Sequence, residues 1–140
     1  MSEAYWEHFA HSADIGIRGI GPTKDLAFSQ AALAMVAAMV DIEAIETRDR
    51  VTIRCQEPDA ELLLLDWLNA VVYEMDVRGM LFGRFDVRID GASLTAQAFG
   101  EQIDRARHEF YVEVKAATPA QLKVGRDEQG RWIAQCIVDV

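Results

Sequence analysis

The chain has 140 residues and a formal net charge of −9, from 14 basic and 23 acidic side chains. Its length accommodates one hydrophobic core, and a composition that is 51% hydrophobic and 26% charged belongs to a folded domain. So acidic a chain repels phosphate backbones, which argues against holding nucleic acid by a basic face of its own but not against acting on it through a basic partner. No apolar run approaches the length of a bilayer span. The opening Met1-Ser2-Glu3-Ala4-Tyr5-Trp6-Glu7 lacks the basic start and apolar core of a signal peptide, so a cytoplasmic chain without membrane association is expected. The two cysteines, Cys55 and Cys136, lie in alternating apolar stretches and read as buried free thiols of a reducing compartment, with a disulfide as the alternative.

In chain order, residues 5–10 and 15–20 read as extended. Gly21-Pro22 breaks the second of them, and Thr23 is placed to cap a helix over 24–40, with Asp25 at its positive end and alanines and large apolar residues throughout. A helix so apolar should be largely buried. A strand near 48–56 places Val51, Ile53 and Cys55 on one face. Pro58 and Asp59 open a second helix, 59–75, with a stripe of Leu64, Leu65, Leu68, Val71, Val72 and Met75. Phe85, Val87 and Ile89 then alternate, Asp90-Gly91 signals a hairpin, and Leu94, Ala96 and Ala98 return. After a polar loop, 100–108, the alternation of Phe110, Val112 and Val114 predicts another strand. A hairpin through 127–130 closes the chain.

Two helices among eight predicted strands imply one α+β domain over 1–140, its helices packed on mostly antiparallel sheets. Charge is uneven along it. Residues 41–76 hold ten acids and three bases, a net of −7, whereas 77–140 hold nine of each.

Few residues invite chemistry. Asp14 precedes Ile15-Gly16-Ile17 and Asp139 stands in Ile137-Val138-Asp139-Val140, and a carboxylate inside so apolar a stretch needs a partner. One reading makes them strand-end caps. The other makes them oxygen ligands of a hard divalent cation, with Val140 adding chain-end oxygens. His11 is placed to orient the turn before Asp14. His108, among Arg105, Arg107 and Glu109, reads as a solvated loop histidine, with a general base as the alternative. Lys115 either faces water or approaches an anion. Trp67 reads as core. No nucleophile–base pair is evident, which disfavours a free-standing enzyme.

These residues carry a resemblance. His11-Ser12-Ala13-Asp14-Ile15-Gly16-Ile17, Leu26-Ala27-Phe28, Met39-Val40-Asp41, Leu64-Leu65-Asp66-Trp67-Leu68-Asn69, Gly100-Glu101, Glu113-Val114-Lys115-Ala116-Ala117-Thr118 and Ile137-Val138-Asp139-Val140 resemble, in order, the blocks of the archease family. The resemblance spans nearly the whole chain. Ser12 stands where threonine is commoner, Arg107 where many relatives have lysine, and Pro119 where tyrosine is expected. The resemblance implies an accessory protein, not itself an enzyme, that assists an RtcB-type RNA ligase in transfer-RNA splicing or RNA repair. It would promote guanylylation of the ligase from GTP and its multiple turnover, meeting RNA and GTP only through that partner. It also implies a metal site, calcium by usual assignment with magnesium or manganese as alternatives, at Asp14, Asp139 and the backbone of Val140. Lys115, Arg107 and His108 are the assisting candidates, with no catalytic residue of the chain's own. Two other readings remain: a metal-independent acidic module or chaperone-like modulator that clamps a basic partner, and a small metal-dependent hydrolase.

Overall fold

The computed structural model describes residues 3–140. An antiparallel hairpin of β1 (Tyr5–His11) and β2 (Asp14–Gly21) leads into α1 (Lys24–Met39). A short 3-10 turn, Ile42–Ala44, precedes β3 (Asp49–Gln56), and α2 (Ala60–Arg78) follows. Strands β4 (Met80–Asp90), β5 (Ser93–Gln102), β6 (Ala116–Arg126) and β7 (Trp132–Asp139) complete the chain. One sheet has the order β1-β2-β7-β6 and the other β3-β5-β4, every pairing being antiparallel. This is the α+β domain that the sequence implies. Among the described residues no helix is long and apolar enough to cross a membrane.

Local signals set the element boundaries. The Thr23 hydroxyl accepts the Leu26 amide at 3.2 Å and caps α1. Asp59 takes the same role for α2, accepting from Glu61 and Leu62, so Pro58 lies just before the cap rather than in the first turn. The second helix runs three residues past Met75 and stops at Gly79, whose φ of 63° is the left-handed conformation that glycine adopts without steric cost. The two-residue loop Gly91-Ala92 joins β4 to β5, with Gly91 at φ 59°.

The core lies on both sides of α1. Phe28, Ala31, Ala32, Met35 and Val36 have no exposed surface, as a helix packed against two sheets requires. Gly19 of β2 permits the close approach on one side, since a Cβ there would stand 2.1 Å from the Ala27 carbonyl oxygen. On the other side the Ser29 hydroxyl donates to the Phe85 carbonyl at 2.9 Å. Trp67 is fully buried, donates its indole N–H to the Phe28 carbonyl at 3.0 Å and meets Phe85 edge-on. Within the predicted stripe of α2, Leu65 is only half-buried, and Leu63 takes the core position instead.

One predicted strand is absent. Residues 110–114 alternate in burial as expected but have no ladder partner, leaving seven strands among the described residues. The segment crosses the end of α1, where the Tyr111 amide donates to the Met39 carbonyl at 2.8 Å. Alternation reports an extended, half-covered chain, and it cannot tell a sheet from a helix end as the covering surface.

Candidate functional site

The β1–β2 turn and the last residues of β7 meet at one end of the four-stranded sheet. His11 is paired with Asp14 across the hairpin. The β2–β7 register runs to Ile15 opposite Val138, and one further step sets Asp14 opposite Asp139. Opposed residues of an antiparallel pair share a face, so His11, Asp14 and Asp139 project to the same side, away from the face of Ile17 and Cys136 that packs on α1. The two aspartates, 125 positions apart in sequence, are thus neighbours in the sheet. Asp14 is half-buried and Asp139 exposed; Val140 packs against the core edge. The turn residue Ser12 has φ 53°, a left-handed conformation that a non-glycine residue adopts at a cost.

His11 departs from its expected role. Its Nδ1 is buried without a hydrogen-bond partner among the described residues, so it does not orient the turn by hydrogen bonding. A buried ring nitrogen beside Asp14 is unsatisfied by the protein alone and calls for a water or an ion. Two carboxylates and a backbone oxygen are hard donors suited to calcium, magnesium or manganese. Among the described residues, no group of three or more His, Cys, Asp or Glu side chains is close enough to hold an ion. A cation at this end would therefore rest on the two aspartates, backbone oxygen and water.

Lys115 joins this end from the other side of the sheet. Its amide donates to the Asp139 carbonyl at 2.8 Å, and Ala116 pairs with Asp139. Asn69 of α2 secures the same strand edge: its side-chain amide donates to the Ala117 carbonyl at 3.1 Å and accepts the Ala117 amide at 2.8 Å. Lys115 lines a cleft of about 310 Å³ between the last turns of α2 and the 103–115 segment.

Arg107 and His108 belong to a different cluster. Glu101, near the end of β5, is 4% exposed and carries an ion pair to Arg107 at 2.5 Å. Its other oxygen accepts the Glu46 amide at 2.7 Å and faces His108 Nε2 at 3.0 Å. The Arg107 hydrogen bond, aided by the Glu46 amide and His108, holds the Glu101 carboxyl down at about 2. His108 is not a solvated loop histidine; it is 2% exposed. Its Nδ1 accepts the Asp104 amide at 2.9 Å, which leaves the ring proton on Nε2 for Glu101. With both nitrogens engaged, the ring has none free to take a substrate proton. Arg107 also donates to the Ala44 carbonyl at 2.9 Å, so it ties the 104–108 turn to the segment after α1. No hydrogen bond or ion pair among the described residues links this cluster to Asp14 or Asp139.

The sequence profile of the archease protein family matches residues 6–140. The chain belongs to the archease family. Protein archease of Pyrococcus furiosus is 40% identical over 139 residues, which cover 96% of this chain and 98% of that one. Protein archease of Thermococcus gammatolerans is 39% identical with the same coverage. The solution structure of protein 1598 of Methanobacterium thermoautotrophicum, 34% identical, superposes with a TM-score of 0.85 and covers 96% and 98% of the two chains. The crystal structure from Thermotoga maritima described as an archease and possible chaperone gives a TM-score of 0.65 at 18% identity, with 96% of each chain covered, and shows the common fold.

The blocks of the archease resemblance gather unevenly in space. The His11–Ile17, Glu113–Thr118 and Ile137–Val140 blocks converge on the sheet end, and Asn69 reaches it from α2. Gly100-Glu101 anchors the separate buried cluster. Its sequence signal was two arginines and a histidine four to seven residues downstream of a carboxylate. Period two in β5 puts Glu101 on the outward face with Thr95 and Gln97, which hides its burial.

Proposed function

We propose that this archease is an accessory activator of an RtcB-type RNA ligase, promoting guanylylation of the ligase from GTP and its repeated turnover in transfer-RNA splicing or RNA repair. Family membership supports the choice of partner, and the adjacency of Asp14 and Asp139 at an exposed sheet end is the structural observation that carries the reading. The residues that would hold a divalent cation, calcium first, are Asp14, Asp139 and the Val140 backbone. Bound there, such an ion would supply positive charge for phosphate oxygens at the partner's active site. The chain's own part is to hold the two carboxylates at fixed spacing on paired strands, with Lys115 secured beside them by its amide bond to Asp139. The −9 charge leaves the grip on RNA to the ligase.

The test is direct. Asp14→Ala and Asp139→Ala should fold normally, lose calorimetric binding of Ca²⁺, and reduce multiple-turnover ligation by a catalytic amount of ligase to the level without this chain. Full turnover with either variant would overturn the metal reading. A second reading draws on the net charge of −7 over 41–76: an acidic, chaperone-like clamp on a basic partner surface, in line with the description of the Thermotoga maritima relative. The Asp14 and Asp139 variants separate the two, because only the metal-dependent activator loses function with them. The clamp would respond instead to charge reversal at Glu57, Asp59 or Glu61 and to added salt.

A further inference from the structure

The outward face of the β3-β5-β4 sheet carries a charge opposite to that of the chain. Val51 and Ile53 of β3 and Phe85 and Val87 of β4 are buried toward the helices, so the alternate residues of these strands face solvent. The register sets Arg50, Phe99 and Arg84 in one row across the sheet and Arg54, Thr95 and Arg88 in another. Thr52, Gln97 and Asp86 form the row between them. With Asp86 and Asp90 as its acids, this face stands at +2 in a chain of −9. Arg50 and Arg54 are two of the three bases in the acidic 41–76 segment, and an average over that segment hides them.

The four arginines are exposed, and among the described residues none of them makes an ion pair. Arg48 and Arg107, by contrast, are taken up by Glu101 at the end of β5. Arg84 lies over the Phe99 ring, 3.9 Å from its centre, so a guanidinium stacked on an aromatic stands on the open face. Arginines four residues apart on one strand are about 13 Å apart, and β3 and β4 lie about 10 Å apart across β5. A shallow groove of about 340 Å³ runs beside Arg54, lined also by Gln56, Ser93 and Thr95.

We infer that this face is a contact surface for single-stranded RNA. Arg50, Arg54, Arg84 and Arg88 meet phosphates, and the Arg84–Phe99 stack and the polar groove take bases. The assignment follows from charge and from what the face lacks. None of the exposed large apolar side chains of the described residues lies in β3, β4 or β5, so the face has neither the apolar centre of a protein interface nor a side chain to insert into a lipid surface. A planar stack has a base to meet only where the strand is unpaired. The acids elsewhere on the chain do not cancel the attraction, because salt screens exposed charges beyond about 8–10 Å. The ligase keeps the main grip on RNA, and this face adds a weak, salt-sensitive one. That the strand is RNA rests on the proposed accessory role; that it is a single-stranded nucleic acid rests on the face itself.

The experiment titrates this chain into a fluorescein-labelled oligouridine and follows anisotropy as salt rises from about 50 to about 200 mM. Four phosphate contacts on a single strand give a slope of log K against log salt of about −3, a loss of about fiftyfold over that range. Arg50→Ala, Arg54→Ala, Arg84→Ala and Arg88→Ala should each weaken binding about fivefold and flatten the slope by about 0.7. Arg126→Ala, which removes the same charge from an exposed position on β6, should stay within about twofold. Arg84→Lys should keep the slope and lose affinity, because an ammonium lacks the planar face that stacks. An unchanged Tm confirms folding, which exposed positions tolerate. No wild-type binding at about 50 mM salt, or an equal loss with Arg126→Ala, overturns the inference. Equal binding to polyglutamate or to phosphatidylserine vesicles overturns the choice of nucleic acid. A chain that binds the strand but brings a ligase no added turnover contradicts the accessory role and leaves this surface standing.

Discussion

At the scale of single residues, Glu101 is the most consequential buried charge. Its carboxyl is held at about 2 in the folded chain, below an ordinary value of 4.5. A depressed carboxyl stabilises the fold above its unfolded pKa, and that contribution is lost as pH falls from about 4.5 through about 2. The difference is worth about 3 kcal/mol. Denaturant unfolding at a series of pH values should show this loss in the wild type. Glu101→Gln, less stable at neutral pH, should show a flatter acid limb over the same window; parallel curves would mean that Glu101 does not govern it. Cys136 is the other legible case. Burial pushes its thiol up to about 12, whereas Cys55 is half-buried and raised by burial and the nearby Asp66. A maleimide at pH 8 should label Cys55 first and Cys136 only on unfolding, which mass spectrometry of peptides would read. Alternation identified Cys136 as a buried free thiol because a strand face is a local property, whereas Cys55, also free, is only half-buried rather than buried as expected. His108 was misread because the 104–108 turn folds its ring back onto Glu101 of β5, a contact that the polar composition of the loop does not report.

At the scale of elements, caps and breakers were the reliable signals. Thr23, Asp59 and the Asp90-Gly91 pair act through bonds within four residues, so their sequence neighbourhood contains the whole cause. The extension of α2 to Arg78 was missed because Gly79, not the last stripe residue Met75, ends it. The segment 110–114 was misassigned because its amide partner, Met39, belongs to a helix. Asn69 shows what element contacts add: one side chain stands in for a neighbouring strand along the outer edge of β6. Asn69→Ala should leave the Ala117 amide and carbonyl unpaired and cost about 1–3 kcal/mol, with faster amide exchange at Ala117 than elsewhere in β6. Equal exchange throughout β6 would contradict the edge role. Gly19→Ala tests the other close contact. A methyl 2.1 Å from the Ala27 oxygen must push α1 off β2, with a loss of about 1–3 kcal/mol or more visible as a lowered Tm.

At the scale of the whole molecule, the chain divides its chemistry between ends and faces. The excess acid lies in 41–76, in the segments flanking β3 and along α2, while the half that contains Lys115 and the strand ends around Asp139 is neutral. The sequence exposed Asp14 and Asp139 as carboxylates out of place in apolar strands. Their adjacency depends on β7 pairing with β2, a contact across more than a hundred residues that no local pattern encodes, so the sequence offered it only as a shared-cation reading and through the family resemblance. The cleft that Lys115 lines was hidden, since its walls come from α1, α2, β4 and the loop before β6.

The most direct test of that account is RNA ligation with substoichiometric RtcB-type ligase, GTP and divalent metal, counting joined products per ligase molecule. With this chain present the count should rise well above one, and without it the count should stall near a single turnover. An equal count in its presence and absence would contradict the central claim.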